Sequence, residues 1–499
     1  MATYDRGEPG LFLQVEIERE VVRVVQAAHI PRVSRDQLRR PLLTPKEGPR
    51  VAGTSEIVVA TLDERGVRDQ FAWSSQSLAF MDRETDPKTG ALAGTPRDSG
   101  LNVRMLRIPV PADVNFLVFY ASECVGGERF KERPEVVQRP MGLYFTGAPG
   151  VPVPPLPPLP IPFGVPPIPW RLPFRPPQIL IRPFRPKRVK YLAGSDTLVS
   201  AGDPADCFDI VILGDGFSAS DLAEFDARAA ALANGLIAMP PFDALASKIN
   251  IHAVRAVSLD SGISQCPAGG GTKSTYFDVK GNFNGQYAGF VGTNNPERIY
   301  QAAELIAPRE HLEVFLVIAN CDIEGGSAFP QQRLAFITMY ADMTKFVNFA
   351  AHELAHVLAG TCEEYIGCVE DDPLTVYPNQ VTDAQRAANA IPWLSLAVAG
   401  ELTSTGVFRA QHVLGDPLDG IDQPIVAAEL KGMLGAYWGC QDIAIGSGFP
   451  GDMCPHPYSD PRGAGFFRPM AECRMRRSRY AFCRVCAAKL TEAVLAVAP

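Results

Sequence analysis

Apolar and polar positions divide this chain into three stretches with different periods. From Leu11 to Glu18 (LFLQVEIE), Glu56 to Trp73 (EIVVATLDERGVRDQFAW) and Asn102 to Ala121 (NVRMLRIPVPADVNFLVFYA), apolar residues alternate with polar ones and break at turn signals such as Glu64-Arg65-Gly66. A period of two with short breaks predicts antiparallel strands, and residues 1–145 read as a β-sandwich-like domain. No cluster of catalytic residue types falls in it, so a structural or substrate-presenting role is expected. From about residue 189 the pattern changes. Phe208 to Asp215 (FDIVILGD) is an apolar run suited to a strand covered on both faces, and Asn250 to Val257 and Val314 to Ile318 supply further strands. Between them, Ser218 and Asp221 offer a capping box for a helix carrying Leu222, Phe225, Leu232 and Leu236 on one side. Strands alternating with helices predict an α/β domain over residues 189–499.

Proline separates the two. Between Pro149 and Pro186 there are 16 prolines in 38 residues. Val151 to Trp170 is uncharged and long enough to suggest a membrane span, but so many missing N–H donors cannot sustain a helix in lipid. Residues 146–188 therefore read as an extended polyproline II linker, with no transmembrane segment. Its Pro155–Pro160 run, PLPPLP, could also serve as a ligand for an SH3-like partner. The basic stripe behind it, from Arg171 to Arg188, is read as a solvated linker face.

The most informative periodicity lies in Phe346 to Gly360, FVNFAAHELAHVLAG, whose polar members are Asn348, His352, Glu353 and His356. Residues four apart on a helix share a face, so the imidazoles of His352 and His356 can bind one zinc ion while Glu353 reaches a water-occupied fourth position. The competing reading is a pair of ordinary core histidines. In so apolar a helix each unpartnered polar group would cost roughly 1–3 kcal/mol, and a lone carboxylate more, so one agent that satisfies all three is favoured. Gly360 is suited to end the helix, and Thr361-Cys362-Glu363-Glu364-Tyr365 can then turn back towards the metal.

The run His352 to Tyr365, HELAHVLAGTCEEY, resembles the site of the IgA-specific metalloendopeptidase family. Further ordered blocks carry the likeness over about residues 190–490: CFDIVILGDGFSASDLAEF (Cys207–Phe225), INIHAV (Ile249–Val254), Gly325–Ser327 before RLAFIT (Arg333–Thr338), YPNQVT (Tyr377–Thr382) with Pro392-Trp393, and GFFRPMAECRM (Gly465–Met475) ending in FCRVC. The resemblance implies an α/β zincin-like catalytic domain that hydrolyses peptide bonds, with zinc held by His352, His356 and Glu363. The family usually has Asp where this chain has Glu363, and Glu364 or the acids of Glu370 to Asp372 are alternative third ligands. Glu353 is the expected general base and Tyr365 the candidate donor to the oxyanion. RLAFIT is assigned the strand that pairs with extended substrate. From another class of function, the chain would be a surface binding module with zinc as a scaffold. Three protein ligands would favour the enzyme, four the scaffold.

Composition narrows the partners. A formal charge of −8 and no nucleic-acid motif leave no basic surface for phosphate backbones, so protein or peptide is the expected substrate and nucleic acid is not a partner. The first residues lack a basic start followed by an apolar stretch, so no cleavable signal peptide is read, although the resembled family is often secreted. Eleven cysteines are an odd number. Disulfides are expected if the protein is exported, including one between Cys362 and Cys368; Cys473, Cys483 and Cys486, with Cys454 nearby, could instead make a second, structural zinc site. Met475 either packs beneath the metal or fills core.

Overall fold

The computed structural model describes residues 8–18, 21–33, 55–63, 66–74, 78–86, 91–94, 97–110, 114, 116–125, 135–145, 190–266, 270–283, 290–364, 377–382, 391–396, 437–438, 466–470 and 472–499. The prolyl linker, Tyr365, Cys368, Glu370 to Asp372 and Cys454 lie outside these residues.

The alternating N-terminal segments form two antiparallel sheets. In the first, β1 (Glu8–Glu18) lies between β2 (Val21–Val33) and β8 (Val103–Pro109); in the second the order is β10 (Glu135–Phe145), β9 (Phe116–Val125), β3 (Ser55–Asp63), β4 (Gly66–Ser74). Alternate residues from both sheets, among them Leu11, Leu13, Ile57, Val59, Leu106, Ile108, Leu117 and Phe119, meet in one buried cluster. This is the consequence of period-two patterning, which gives each strand one apolar face that must find another.

Between those strands the chain leaves the two sheets. Here β5 (Leu78–Asp86), with β6 (Ala91–Gly94) and β7 (Arg97–Asp98), joins a mixed sheet built mainly from the C-terminal part. That sheet runs β11 (Tyr191–Val199), β13 (Ile249–Val257), β12 (Phe208–Asp215), β14 (Val314–Ala319), β16 (Leu334–Thr338), β15 (Gly326–Phe329), β5, β6. Strands β13, β12, β14 and β16 are parallel, whereas β11, β15 and β5 pair antiparallel to their neighbours.

Both faces of the parallel strands are covered, which is why their sequences are apolar throughout. Ile210, Ile212, Leu316, Ile318, Ala335 and Ile337 face α1 (Leu222–Ile237), α3 (Met343–Ala359) and α4 (Arg484–Val497). Val211, Leu213, Phe315, Val317 and Phe336 face the other way, onto α2 (Glu297–Ala303) and onto Phe12, Ile30, Val33 and Met105 of the N-terminal sheets. The N-terminal strands therefore share a core with the sheet that carries the site. Arg107 reinforces this contact, donating to Glu313 Oε1 at 2.6 Å and to the Glu310 carbonyl at 2.9 Å.

Two expectations change on this background. Strand β16 is hydrogen-bonded on one side to β14 and on the other to β15, so RLAFIT has no free edge for a substrate strand. The apolar period that marks a strand does not reveal which neighbours take its two edges. The capping box before α1 is also only half made: Asp221 Oδ2 accepts the Ser218 N–H at 2.9 Å, but the Ser218 hydroxyl bonds to that same carboxylate instead of to backbone. The buried side of α1 is Phe225, Ala229, Leu232, Ala233 and Leu236. A disulfide joins Cys266 to Cys321, a separation of 55 residues that in the loop-entropy account contributes about 4 kcal/mol. Among the described residues, no helix is long and apolar enough to cross a membrane.

Candidate metal centre and its surroundings

Helix α3 begins and ends where its sequence dictates. Asp342 caps it, accepting from Thr344 N at 2.8 Å and Lys345 N at 3.2 Å. Gly360 stops it at φ 58°, a left-handed conformation that costs glycine little. The helix is buried from Phe346 to His356 apart from Asn348, and His352, Glu353 and His356 are fully enclosed.

The turn after Gly360 brings Glu363 back against the two histidines. Its Oε1 lies 3.0 Å from His356 Nε2 and its Oε2 lies 3.4 Å from His352 Nε2, while the two Nε2 atoms are 3.2 Å apart. One ligand atom from each of the three residues lies within 4.8 Å of the others. Glu364, the next residue, points elsewhere: its carboxylate meets Asn379 and the sulfurs of Cys483 and Cys486.

The histidine tautomers follow from their other contacts. His352 Nδ1 is 3.0 Å from the Arg474 carbonyl and His356 Nδ1 is 2.7 Å from the Thr361 carbonyl. A carbonyl only accepts, so each Nδ1 carries the hydrogen, and in the neutral form of each imidazole this leaves the Nε2 lone pair turned towards the same point as the Glu363 carboxylate. Three converging lone pairs at these separations repel one another unless a cation lies among them. Nitrogen ligands about 2.1 Å from a tetrahedral zinc stand about 3.4 Å apart, close to the spacings found. The donor set therefore fits a metal ion.

Several residues that pattern reading passed over build the walls. Phe80, on β5, stacks on the His356 ring with centroids 4.2 Å apart and planes 6° from parallel, so the N-terminal part contributes directly to the site. Asn379 braces the turn, its Oδ1 accepting from Cys362 N at 2.8 Å and its Nδ2 donating to Cys362 O at 2.7 Å and to Glu364 Oε1 at 2.9 Å. Burial first, and then the Cys473 sulfur, push the Glu364 carboxyl well above the ordinary carboxylate range. Met475 is buried in the core beneath the helices, and its carbonyl accepts the Glu364 N–H at 2.9 Å. The one signal for Asn379 was its place in the YPNQVT block; Phe80 carried none.

Gly326, at the start of β15, packs its backbone on the Glu353 side chain. A Cβ at this position would stand 2.4 Å from Glu353 Oε1 and 2.8 Å from its Cγ and Cδ. The Thr338 hydroxyl fixes the preceding residue, donating to Gly325 O and accepting from Gly325 N, each at 2.8 Å. Gly326→Ala is therefore expected to displace the Glu353 carboxylate. A misplacement of about 1 Å costs on the order of a hundredfold in turnover. Metal content should be unchanged, and paired kcat and zinc measurements check this; a fully active Gly326→Ala would show that Glu353 has room to shift without loss.

Residues 197–383 match the family model described as IgA Peptidase M64. That stretch is thus similar to a family of metallopeptidases, the one its motifs resemble. No curated protein matches the chain.

Proposed function

We propose that this protein, with its stretch similar to IgA Peptidase M64, is a zinc metalloendopeptidase of zincin-like α/β design, divided into an N-terminal β domain (1–145), a prolyl linker (146–188) and a catalytic domain (189–499). The observation that supports this reading is the convergence of three buried residues able to hold a metal, His352, His356 and Glu363, with a carboxylate, Glu353, on the helix of the two histidines. A three-residue set leaves a fourth position open, as catalytic zinc sites do, and a scaffold zinc has no use for a neighbouring base.

His352, His356 and Glu363 would hold the ion. When bound, zinc supplies Lewis acidity, polarising a carbonyl and bringing the pKa of water to about 7. Glu353 accepts the proton as water attacks the scissile carbonyl and delivers it to the departing amine. The carbonyls of Arg474 and Thr361 keep both imidazoles in the ligating tautomer throughout. Stacking on Phe80 holds the His356 plane. Tyr365 is assigned the hydrogen bond to the oxyanion.

The test is cleavage-site profiling of purified full-length protein on a peptide library. Internal bonds should be cut, chelation should abolish cutting, and stoichiometric zinc should restore it. Undiminished cleavage by the chelated, metal-free protein would overturn the reading.

A further inference from the structure

We propose that Glu364, Cys473, Cys483 and Cys486 form a second, closed metal site that takes zinc and braces both the turn bearing Glu363 and the backbone that orients His352. The four side chains are 0–3 % exposed, and one ligand atom from each lies within 4.8 Å of the others. None of them belongs to the His352, His356 and Glu363 set, so the inference does not depend on the peptidase reading.

The spacing is that of a metal shell. Cys473 Sγ and Cys486 Sγ are 3.7 Å apart, far beyond the about 2.05 Å of a disulfide. Two thiolates bound to tetrahedral zinc at about 2.3 Å stand about 3.8 Å apart. Glu364 Oε1 lies 3.3 Å from Cys486 Sγ and 3.9 Å from Cys483 Sγ. These distances bracket the about 3.6 Å expected between a sulfur and a carboxylate oxygen on one zinc. The chain closes a disulfide between Cys266 and Cys321, yet these three thiols are not bridged to one another. Their number is also odd, so pairing any two would strand the third.

The surroundings suit thiolates. Backbone N–H groups point at the sulfurs: Cys483 N is 3.3 Å and Met475 N 3.5 Å from Cys473 Sγ, and Cys486 N is 3.5 Å from Cys483 Sγ. Cys483 and Cys486 occupy the N-terminus of the 14-residue helix α4, where the helix dipole favours negative charge. Glu364 Oε2 is buried with no hydrogen-bond partner among the described residues. Burial among three sulfurs is costly for a carboxylate even with the Arg468 guanidinium acting to favour its charged form, and a divalent ion removes that cost. Soft thiolates select zinc over magnesium or calcium, and four protein ligands leave no open position, which marks a structural ion.

The two sites share backbone. Glu363 and Glu364 are consecutive and face different ligand sets. The segment that follows Cys473 holds both: the Arg474 carbonyl accepts from His352, and the Met475 carbonyl accepts from Glu364 N. A metal gripping Cys473 and Glu364 thereby fixes a partner of His352 and the approach of Glu363.

The experiment is zinc counting and zinc X-ray absorption on the full-length chain, wild type and H352A/H356A, with disulfide mapping of the same preparations. Wild type is expected to carry about two zinc ions, and H352A/H356A about one, whose shell holds about three sulfurs at about 2.3 Å and one lighter atom. Glu364→Gln, which keeps all three thiols, should speed release of the sulfur-bound zinc to a chelator by tenfold or more. A zinc shell without sulfur in H352A/H356A, a metal-free H352A/H356A, or a disulfide among the three cysteines would each overturn the proposal. Hydrolysis is not a readout, so an inactive wild type with two zinc ions would sink the peptidase reading and leave this one standing.

Discussion

Replacing Glu353 by glutamine is expected to lower peptide hydrolysis by about a hundredfold or more while the metal stays bound. The amide keeps the size of the carboxylate and can still hydrogen-bond, so the buried helix face around residue 353 remains packed. It cannot take a proton from water at neutral pH. Glu353 is not in the three-residue ligand set, and its backbone is held mid-helix between a capped start and a glycine stop, so binding of the ion should not change. Single-turnover rates and zinc content measured on one preparation separate the two effects. Hydrolysis within a few-fold of wild type would remove Glu353 from the role of base. Simultaneous loss of zinc would make it a ligand instead.

Glu363→Gln should release zinc from the histidine pair, with affinity falling by more than the about 10–100-fold that loss of an outer-shell partner costs. The Glu363 oxygens are 3.0 and 3.4 Å from the two Nε2 atoms, and the amide would present a weaker donor in a site already fully buried. Hydrolysis should be lost with the ion and recover in part at high zinc. Glu364→Gln should behave differently, since its carboxylate is turned towards Asn379 and the cysteine sulfurs. Zinc titration of the two variants, read by chelator competition, decides between them. If Glu364→Gln empties the histidine site and Glu363→Gln does not, the third ligand is Glu364.

Much of this was legible in the chain because it rests on local periodicity. A spacing of four on an apolar helix puts His352 and His356 on one face in any fold, and Gly360 ends that helix through its own backbone freedom. The apolar strands FDIVILGD and LAFIT and the alternating N-terminal strands announce how many of their faces are buried. The blocks from Cys207 to Thr382 lie within the residues that match the family model.

Tertiary structure decided what depends on contacts between distant segments. Glu363 and Glu364 are adjacent, acidic and equally able to turn back, and only the packing of Asn379 and the 473–486 segment against the turn sends one to the histidines and the other to the thiols. Strand β16 reads the same whether its edge is free or paired, and it is β15 that fills it. Phe80 lies 276 positions before His356 and has no pattern to mark it, yet sheet pairing stacks the two rings. Period and capping are properties of a few neighbouring residues, so the sequence determined the helix and the placing of His352, Glu353 and His356 on it by itself. Edge occupancy, which of two adjacent acids meets the histidines, and the walls of the site are set by which surfaces meet across the core, and a linear pattern does not contain that information.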